Sequence, residues 1–599
     1  MSTNTNTGIV PPTFSLGRLL GFVRAILGPD SGIYYLAMLY GLGISLLSLA
    51  TPISVQMLIN TVANTGLTTP LVVLTVGLFI LLLLSGLLNA LRIHLMDVFQ
   101  RRFYARMVAE TALHSLYAAN PFFEDNQQGA LFNRYFDIVI IQKNLPNLLV
   151  SGFTILLQTV VGFILVSMYH PLFLILNTII AFLIWVIWAI WGRYAIASAV
   201  EVSHQKHETA AWLQSLGYSN GFYKSKRHID EALRKTDEAT GLYIEKHIKH
   251  FRHHFSQTVS FLILYAAASA ALLGLGGWLV IDGALTLGQL VAAELVLSAA
   301  FYGVSYLGIY LAYFYELCAS VDELSLFFGI EQEPSSGDVE QLDGDARLTF
   351  VECRGSSHGM TKKIHFEAPS GARIMGVAET ASMQREFCNL LKRHIRPLGG
   401  YVAVGGIDIR TLRSQALSQE IKVLDRPSTV EMTIRDYLQL NAESRSNGQE
   451  LEALKLVGLE PAVMMLDQGL DTRLSSTGWP LTTTETIQLK LAAALIARPR
   501  VLVLSQLLDV IPEEDLRRSL DALQANCECT VVYFTARHRD MGFDNFLFLG
   551  TAEQKLYTSF EALGAAAGLA GGAIAGSESD DVVGNPGDNR GDNAPGLPA

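Results

Sequence analysis

The stretch GVAETASM, residues 376–383, has the length of a phosphate-binding loop but lacks the side chains that such a loop uses. A loop of the form G-x-x-x-x-G-K-[ST] wraps backbone N–H groups around phosphates; its lysine reaches the β- and γ-phosphates, and its hydroxyl binds Mg²⁺. Here Gly376 keeps the first glycine, whereas Ala381, Ser382 and Met383 occupy the other three positions. The alanine adds a Cβ, the serine removes the positive charge, and a thioether is a soft ligand for a hard cation. The sequence therefore predicts that this loop does not bind Mg-ATP tightly.

The composition predicts a membrane protein that does not bind nucleic acid. Half of the 599 residues are hydrophobic and only 17% are charged, whereas about 25% is usual for soluble domains. The net charge of −11 argues against a general nucleic-acid binder. The chain has five cysteines, and Cys527-Glu528-Cys529 lacks the spacing of a zinc site. We therefore expect reduced thiols and no metal site.

Six apolar segments before residue 320 are long enough to cross a bilayer. We place them near residues 32–56, 70–93, 148–169, 171–195, 257–281 and 286–316. The three short connections contain no Lys or Arg, whereas the two long ones, about 94–147 and 196–256, are rich in basic residues. Since basic loops stay on the cytoplasmic side of a membrane, both long loops and both termini are predicted to be cytoplasmic.

Apolar strands alternate with helical stretches after residue 335. We predict strands at RLTFVEC, KKIHFEAPSG, ARIMGV, YVAVGG, IKVLDR, RVLVLSQ, TVVYFT and NFLFLG, and helices near residues 383–394, 449–457, 485–497 and 512–525. Buried strands that alternate with helices are typical of an α/β domain with a largely parallel sheet. Residues 564–599 are rich in Gly, Ala, Asp and Pro, a composition that predicts a disordered tail.

Ordered landmarks in both halves of the chain resemble the ABC transporter superfamily. FFEDNQQGALFNRYFDI (122–138) is similar to the first intracellular loop of its exporter-type members. DQGLDTRLSSTGWPLT (467–482) resembles the approach to the signature sequence, and AAALIARPRVLVL (492–504) resembles the helix and strand that lead into Walker B. The resemblance covers about residues 15–563.

This resemblance implies a multi-domain membrane protein. A six-helix α-helical transmembrane bundle would be followed by an α/β P-loop-NTPase-like domain. The parts would be an N-terminal cytoplasmic or interfacial helix (1–30), an exporter-type transmembrane domain (31–330), a degenerate nucleotide-binding domain (338–563) and the disordered tail (564–599).

The resemblance also assigns roles to positions at which this chain departs from the family. Walker B should end in Asp and Glu, but Ser505 and Gln506 stand there, and Ala536 replaces the switch histidine. The Q-loop region has Asp425-Arg426 where Gln is expected. Because a glutamine cannot accept a proton as a carboxylate does, we predict a domain that keeps its fold and has lost hydrolysis.

The signature sequence LSGGQ becomes Leu481-Thr482-Thr483-Thr484-Glu485. In the family its two glycines bring a helix N-terminus up to the γ-phosphate of the partner's ATP. The threonine side chains are predicted to crowd that approach, and Glu485 to add negative charge.

Four tyrosines and one glutamate in the sixth span are candidates for a substrate pathway. Tyr302, Tyr306, Tyr310 and Tyr313 are spaced 4, 4 and 3 apart and are predicted to share one helical face. They form either a wall of the pathway or packing and interfacial anchors. Glu294 is either a pathway-facing site, since a buried carboxylate there is costly, or lies close to the outer interface.

Together the residues and the resemblance imply a subunit of an ABC-type exporter. It would be a multi-pass protein of the cell inner membrane, with its N-terminus and nucleotide-binding domain in the cytoplasm. Its expected partners are the bilayer and an ATPase-competent ABC subunit, although a homodimer remains open. No cofactor is expected to bind strongly to this chain, and ATP with Mg²⁺ would bind only through the partner. A non-transporting scaffold or regulator and a divergent ATP-driven homodimer are the alternatives, and the substrate stays open.

Overall fold

A computed structural model describes residues 16–64, 68–119, 128–333, 339, 342, 344–354, 363–442, 448–537, 539, 541–551 and 554–567. The chain divides into two compact units, Met1–Glu333 and Pro334–Ala599. The first 15 residues of the predicted N-terminal segment, and the predicted tail beyond residue 567, lie outside the described residues.

The first unit is helical throughout the part that the structure describes. Its helices are α1 Leu16–Leu27, α2 Ser31–Ser48, α3 Ala50–Asn64, α4 Thr68–Leu116, α5 Tyr135–Asn147, α6 Phe153–Ser167, α7 Pro171–Tyr218, α8 Lys226–Ile281, α9 Leu287–Ser305 and α10 Leu307–Phe328. A π-helical turn, Leu148–Gly152, joins α5 to α6.

Six helical runs among the described residues are long and apolar enough to cross a membrane, and each predicted span overlaps one of them. These runs are Gly28–Ile59, Leu71–Leu116, Leu131–Ser167, Pro171–Tyr218, Lys226–Ile281 and Leu287–Ser305. Helices α4, α7 and α8 contain 49, 48 and 56 residues. At 1.5 Å per residue they are about 70–85 Å long, whereas a bilayer core is about 30 Å thick. They are therefore long enough to continue well beyond a membrane.

The sixth predicted span is not one helix, because the chain breaks at Tyr306 between α9 and α10. The Tyr306 N–H donates to the Gly303 carbonyl at 3.1 Å, which tightens the last turn of α9. Neighbouring helices press closely on both sides of the break. A Cβ on Gly303 would lie 2.4 Å from Ile155, and one on Gly308 would lie 2.6 Å from Thr258. These approaches come from distant parts of the chain, so the local sequence pattern did not reveal them.

A buried polar cluster joins three helices of this unit around Asp137, which is fully buried on α5. Its carboxylate accepts hydrogen bonds from Lys206 Nζ at 3.2 Å and His207 Nε2 at 2.5 Å, both on α7. Ser320 Oγ on α10 donates to the same carboxylate at 3.2 Å. A buried carboxylate is stable only when it is paired in this way, so Asp137 fixes the packing of α5 against α7 and α10.

The second unit contains two sheets that enclose a shared core. Its strands are β1 Leu348–Arg354, β2 Ile364–Ala368, β3 Arg373–Ala378, β4 Gly399–Val404, β5 Ile407–Asp408, β6 Ile421–Leu424, β7 Val501–Leu504, β8 Thr530–Phe534, β9 Asn545–Leu549 and β10 Gln554–Tyr557. Its helices are α11 Ala381–Leu391, α12 Ser414–Glu420, α13 Ile434–Gln439, α14 Gln449–Leu456, α15 Glu460–Met464, α16 Thr483–Ala497, α17 Glu513–Asn526 and α18 Phe560–Ala566.

The larger sheet has the order β10-β9-β3-β8-β7-β6 and is parallel except for β10, which pairs antiparallel with β9. Helix α11 packs on one face of it, where Phe387 stacks on Phe350 of the smaller sheet and meets Phe534 of β8 edge-on. Helices α13, α14, α16 and α17 cover the other face. The predicted α/β domain with a largely parallel core sheet is therefore confirmed.

The smaller sheet, β2-β1-β4-β5, is antiparallel and separate, and the sequence did not predict this separation. Its strand β2 alternates buried and exposed residues, the pattern of a sheet with one covered face. The short strands β5 and β10 were not predicted either. Helix α18 ends at Ala566, three residues past the predicted end of the domain; Gly564 is followed by three alanines, which favour a helix.

We expect Asp137→Ala to destabilise the protein strongly, by about 3–5 kcal/mol, because it leaves Lys206 and the buried His207 without their carboxylate. Thermal unfolding of the purified protein in detergent measures the change. Glu231→Ala is the matched control: it removes an exposed ion pair with Arg234 within one helix, and such a solvent-screened pair contributes little to stability. Equal melting temperatures for the two variants would contradict a structural role for the Asp137 cluster.

Candidate nucleotide site

The predicted site residues of the phosphate loop, the Q-loop region, Walker B and the switch position gather at one edge of the larger sheet. The carboxyl ends of parallel strands meet at the same edge, which is where α/β proteins usually bind ligands. The edge is tied together by backbone hydrogen bonds: the Ser505 N–H donates to the Leu424 carbonyl at 3.1 Å, and the Thr535 N–H to the Gly376 carbonyl at 3.1 Å. The structure thus brings together the end of β3, the Asp425 region, Ser505 and Ala536.

The predicted phosphate loop is mostly strand. Strand β3 continues through Val377 and Ala378, which lie opposite Phe548 and Leu549 of β9. The Glu379 N–H donates to the Leu549 carbonyl at 2.9 Å. Only two residues then separate β3 from the start of α11 at Ala381. The sheet therefore holds, by strand pairing, backbone positions whose N–H groups a phosphate-binding loop would direct toward a phosphate.

Gly376 has a packing role at this position. A Cβ placed on it would lie 2.7 Å from the ring of Phe534 on the neighbouring strand. Met383 is 1% exposed and lies in the core beneath α11, so its sulfur does not face the loop. Ala381 and Ser382 are exposed, and the Ser382 hydroxyl lies 2.8 Å from that of Thr380.

The carboxylate of Glu379, which the sequence analysis did not single out, lies within the predicted phosphate loop. Glu379 Oε2 accepts hydrogen bonds from the Thr551 N–H at 2.6 Å and the Thr551 hydroxyl at 3.0 Å. A phosphate bound by this loop would meet a negative charge rather than a lysine. The acidic residue is visible in the sequence, but its distant partner is not.

The signature-like segment forms a reciprocal cap on α16. Leu481 is buried, and Thr482 precedes the first helical residue, with Thr483 and Thr484 in the first turn. Thr482 Oγ1 accepts from the Glu485 N–H at 3.3 Å, and Glu485 Oε2 accepts from the Thr482 N–H at 2.7 Å and hydroxyl at 2.9 Å. A T-x-x-E sequence before an apolar run is the signal for such a capping box. The negative charge of Glu485 is thus held at the N-terminus of its own helix.

The Walker B-like positions follow β7, whose four residues are all fully buried. Ser505 is buried, and its hydroxyl accepts from the Leu507 N–H at 3.4 Å to cap a 3₁₀ segment, Gln506–Val510. Gln506 is exposed. At the end of β8, the Ala536 N–H donates to Asp509 Oδ2 at 2.9 Å.

Asp509 holds the ends of β7 and β8 together, and the sequence analysis missed it. Its carboxylate also accepts from the Tyr533 hydroxyl and from Thr535 Oγ1, the latter at 2.8 Å. Arg537 donates to the backbone carbonyls of Asp509 and Ile511 at 2.5 and 2.6 Å. Burial, with the hydrogen bond to Asp509, raises the pKa of Tyr533. The edge that carries Ala536 is therefore fixed by several polar contacts.

Two lysines hold the Q-loop region in place. Lys392, just after α11, donates to both oxygens of Asp425 at 2.7 and 2.6 Å. Lys490 on α16 donates to the carbonyls of Arg426 and Ser428, each at 2.7 Å. Burial lowers the pKa of Lys490, which fits an ammonium group enclosed by the chain. Neither lysine occupies the position that the phosphate-loop motif requires.

The candidate pathway residues of the first unit lie on both sides of the Tyr306 break. The hydroxyls of Tyr302 and Tyr306 are 2.8 Å apart, and the ring centroids of Tyr310 and Tyr313 are 6.4 Å apart. The face predicted as continuous is therefore divided into two pairs. Glu294 is half-buried and accepts from Ser298 Oγ at 2.6 Å. A role in substrate passage stays a prediction.

No group of three or more His, Cys, Asp or Glu residues that could hold a metal ion occurs in the part of the chain described above.

Comparison with known proteins indicates the class of protein to which this chain is similar. Residues 34–213 match the ABC transporter transmembrane region. The chain is 22% identical over 520 residues to the transport/processing ATP-binding protein ComA of Streptococcus pneumoniae, covering 84% of this chain and 72% of that protein. It is 22% identical over 505 residues to the alpha-hemolysin translocation ATP-binding protein HlyB of Escherichia coli O157:H7, covering 83% of this chain and 71% of that protein.

The fold is similar to that of a bacterial Atm1-family ABC exporter solved with ATP bound. The TM-score is 0.75 at 16% identity, and the match covers 92% of this chain and 100% of that one. The chain is therefore a multi-pass membrane protein with the fold of an ABC exporter. Residues 34–213 match the ABC transporter transmembrane region, and most of the chain is similar to exporter-type ABC proteins. Its six candidate membrane spans are followed by an α/β domain. The predicted fold class is confirmed.

We expect Gly376→Ala to destabilise the protein by about 1–3 kcal/mol, because the added methyl would overlap the Phe534 ring. Adding Phe534→Leu should recover part of the loss, since it frees the space that the methyl needs. Thermal unfolding of the single and double variants measures this coupling. Gly399→Ala, in a strand position where a Cβ would meet nothing within 4 Å, is the control. If Gly376→Ala left the melting temperature unchanged, the glycine would not be required by packing.

Proposed function

We propose that this chain is the hydrolysis-deficient subunit of an ABC-type exporter, and that it pairs with an ATPase-competent ABC subunit to move a substrate across the cell inner membrane. The observation that carries the proposal is the capping box at α16. A helix N-terminus attracts anions through its free N–H groups and its dipole. In this chain Glu485 already supplies the anion, bonded to Thr482 at 2.7 Å.

In a homodimer of this chain, both surfaces of each ATP site would be unsuitable for binding ATP. In the arrangement implied by the resemblance, each ATP lies between the phosphate loop of one subunit and the signature segment of the other. The loop here lacks the lysine and carries Glu379, and the signature segment carries Glu485. Neither surface offsets the charge of a triphosphate, so a homodimer is not expected to bind Mg-ATP tightly.

An active partner changes one of the two sites. Its intact phosphate loop would hold Mg-ATP against the Thr482–Glu485 cap of this chain, so ATP would bind there and turn over slowly. At the other site the partner's intact signature segment would face the loop of this chain that carries Glu379, and ATP would not bind there. The proposed exporter therefore binds one ATP at a time, through residues of the partner.

The membrane unit supports transport as the role. Residues 34–213, which cover most of the first four of its six candidate spans, match the transmembrane region of ABC transporters. The basic residues of the two long connections favour the cytoplasm for those loops. The N-terminus and the second unit are proposed to lie on that same side, where ATP is available to the partner.

The purified chain alone should show no Mg²⁺-dependent photolabelling by an azido-ATP and no ATP hydrolysis above background. An active half-transporter prepared in the same detergent is the positive control. Pull-down and native mass spectrometry of the tagged chain from its own cells should then recover an intact ABC subunit. Brisk hydrolysis by the chain alone would overturn the proposal in favour of an ATP-driven homodimer, and recovery of a partner that is not an ABC protein would favour a scaffold or regulator.

In the complex with its partner, Glu485→Gln should raise ATP affinity roughly fivefold. A glutamine still completes a capping box, whereas removal of one charge near a phosphate is worth about 1 kcal/mol in a solvated site. Glu514→Gln, in the first turn of α17 and exposed, is the matched control and should leave affinity unchanged. Equal affinities for both variants would show that the cap of α16 does not face the nucleotide.

A further inference from the structure

Two thiols, those of Cys527 and Cys529, flank the junction between α17 and β8. Cys527 follows the last residue of α17, and Cys529 precedes the first residue of β8. The Cys529 N–H donates to the Cys527 carbonyl at 2.9 Å and closes a tight turn around Glu528. Even in an extended strand, Cα atoms two residues apart are separated by about 6.6 Å, inside the limit of about 7 Å for a disulfide. The turn brings these two nearer still.

The two thiols differ in access to solvent. All five cysteines lie in the described part of the chain, and Cys527 alone among them is not buried. Cys529 is fully buried in the core beneath it. The pair thus places one accessible sulfur next to one protected sulfur, the arrangement of an attacking thiol and a resolving thiol.

Two neighbours affect the thiol of Cys527. The adjacent Cys529 thiol, with the positive charge of Arg498, lowers the pKa of Cys527. The nearby carboxylate of Glu528 instead accepts a hydrogen bond from Ser370 Oγ at 3.1 Å. By contrast, burial raises the pKa of Cys353 to about 11 and that of Cys388 to about 12. Because the thiolate is the reactive form, Cys527 is the nucleophile of the set.

A cleft of about 140 Å³ opens beside this turn, between α14, α16 and α17. Arg498, Leu523 and Asn526 line it, and the Cys527 thiol donates to the Leu523 carbonyl at 3.3 Å. The cleft adjoins Cys527 in the chain through Asn526, and its lining contains one cation, Arg498, together with the carboxylate of Glu452.

We propose that Cys527 and Cys529 are a dithiol modification site that forms an intrachain disulfide by exchange with a low-molecular-weight disulfide. The Cys527 thiolate attacks one sulfur of the reagent, breaks its S–S bond and releases the first reagent thiolate. Cys529 then loses its proton and attacks the Cys527 sulfur of the mixed disulfide, which releases the second reagent thiolate. The protein gives up two electrons and two protons, and the reagent is reduced to two thiols. This site does not depend on the proposed role in export.

The test uses the full-length chain in detergent, oxidised glutathione as the probe, acid quenching, alkylation of free thiols and mass spectrometry of the peptide containing both cysteines. The wild-type peptide should lose two hydrogens and resist alkylation, and dithiothreitol should restore it. Cys529→Ser should stop at a glutathione adduct on Cys527, because the resolving thiol is gone. Cys527→Ser should remain unmodified, since Cys529 is buried. Cys353→Ser is the control and should behave like the wild type.

Three results would overturn the proposal. One is a wild-type chain that stays fully reduced under conditions in which Cys529→Ser forms the adduct. Another is a wild-type chain that carries only the glutathione adduct. The third is a Cys529→Ser chain that forms no adduct while its melting temperature matches that of the wild type, because the accessible thiol would then be unreactive in a folded protein.

Discussion

The pairing of β3 with strands on both sides is the constraint on which the second unit depends. β3 lies between β8 and β9, and its residues from Arg373 to Ala378 are matched along one neighbour or the other. Gly376 allows the Phe534 ring to pack against the strand, and the same ring meets Phe387 of α11. Since β3 stays in the sheet as far as Ala378, α11 must begin after only two further residues, and Met383 is carried into the core.

The polar groups at the edge of this sheet and at the start of α16 bond to one another. Glu379 accepts from Thr551, Glu485 from Thr482, and Asp509 from Ala536 and Thr535. Backbone N–H groups at such positions can donate to the phosphate oxygens of a nucleotide. In this chain acidic side chains accept from them instead.

Much of this architecture could be predicted from local pattern, and the exceptions share one physical cause. Long apolar runs gave all six spans, and eight apolar segments gave eight strands, because these signals lie within a few residues of each other. The break at Tyr306 lies where Ile155 and Thr258, far away in the chain, approach Gly303 and Gly308. The contacts of Glu379 and Asp509 likewise join residues 172 and 26 positions apart. The cap at Thr482 is different, since its T-x-x-E signal is local and was legible in the sequence.

The carboxylates of Glu379 and Glu485 affect how the protein would work with a partner. Loss of a lysine alone would leave a neutral loop whose N–H groups could still bind a phosphate weakly. The carboxylates of Glu379 and Glu485 add to this loss, because each already accepts hydrogen bonds from a threonine N–H and hydroxyl that a phosphate would otherwise approach. In the proposed heterodimer, the affinity of the complex for ATP would therefore come from the partner's loop, and this chain would set how slowly that site closes. Its membrane unit, built around the buried Asp137 cluster, would contribute half of the pathway while the partner's ATP supplies the energy.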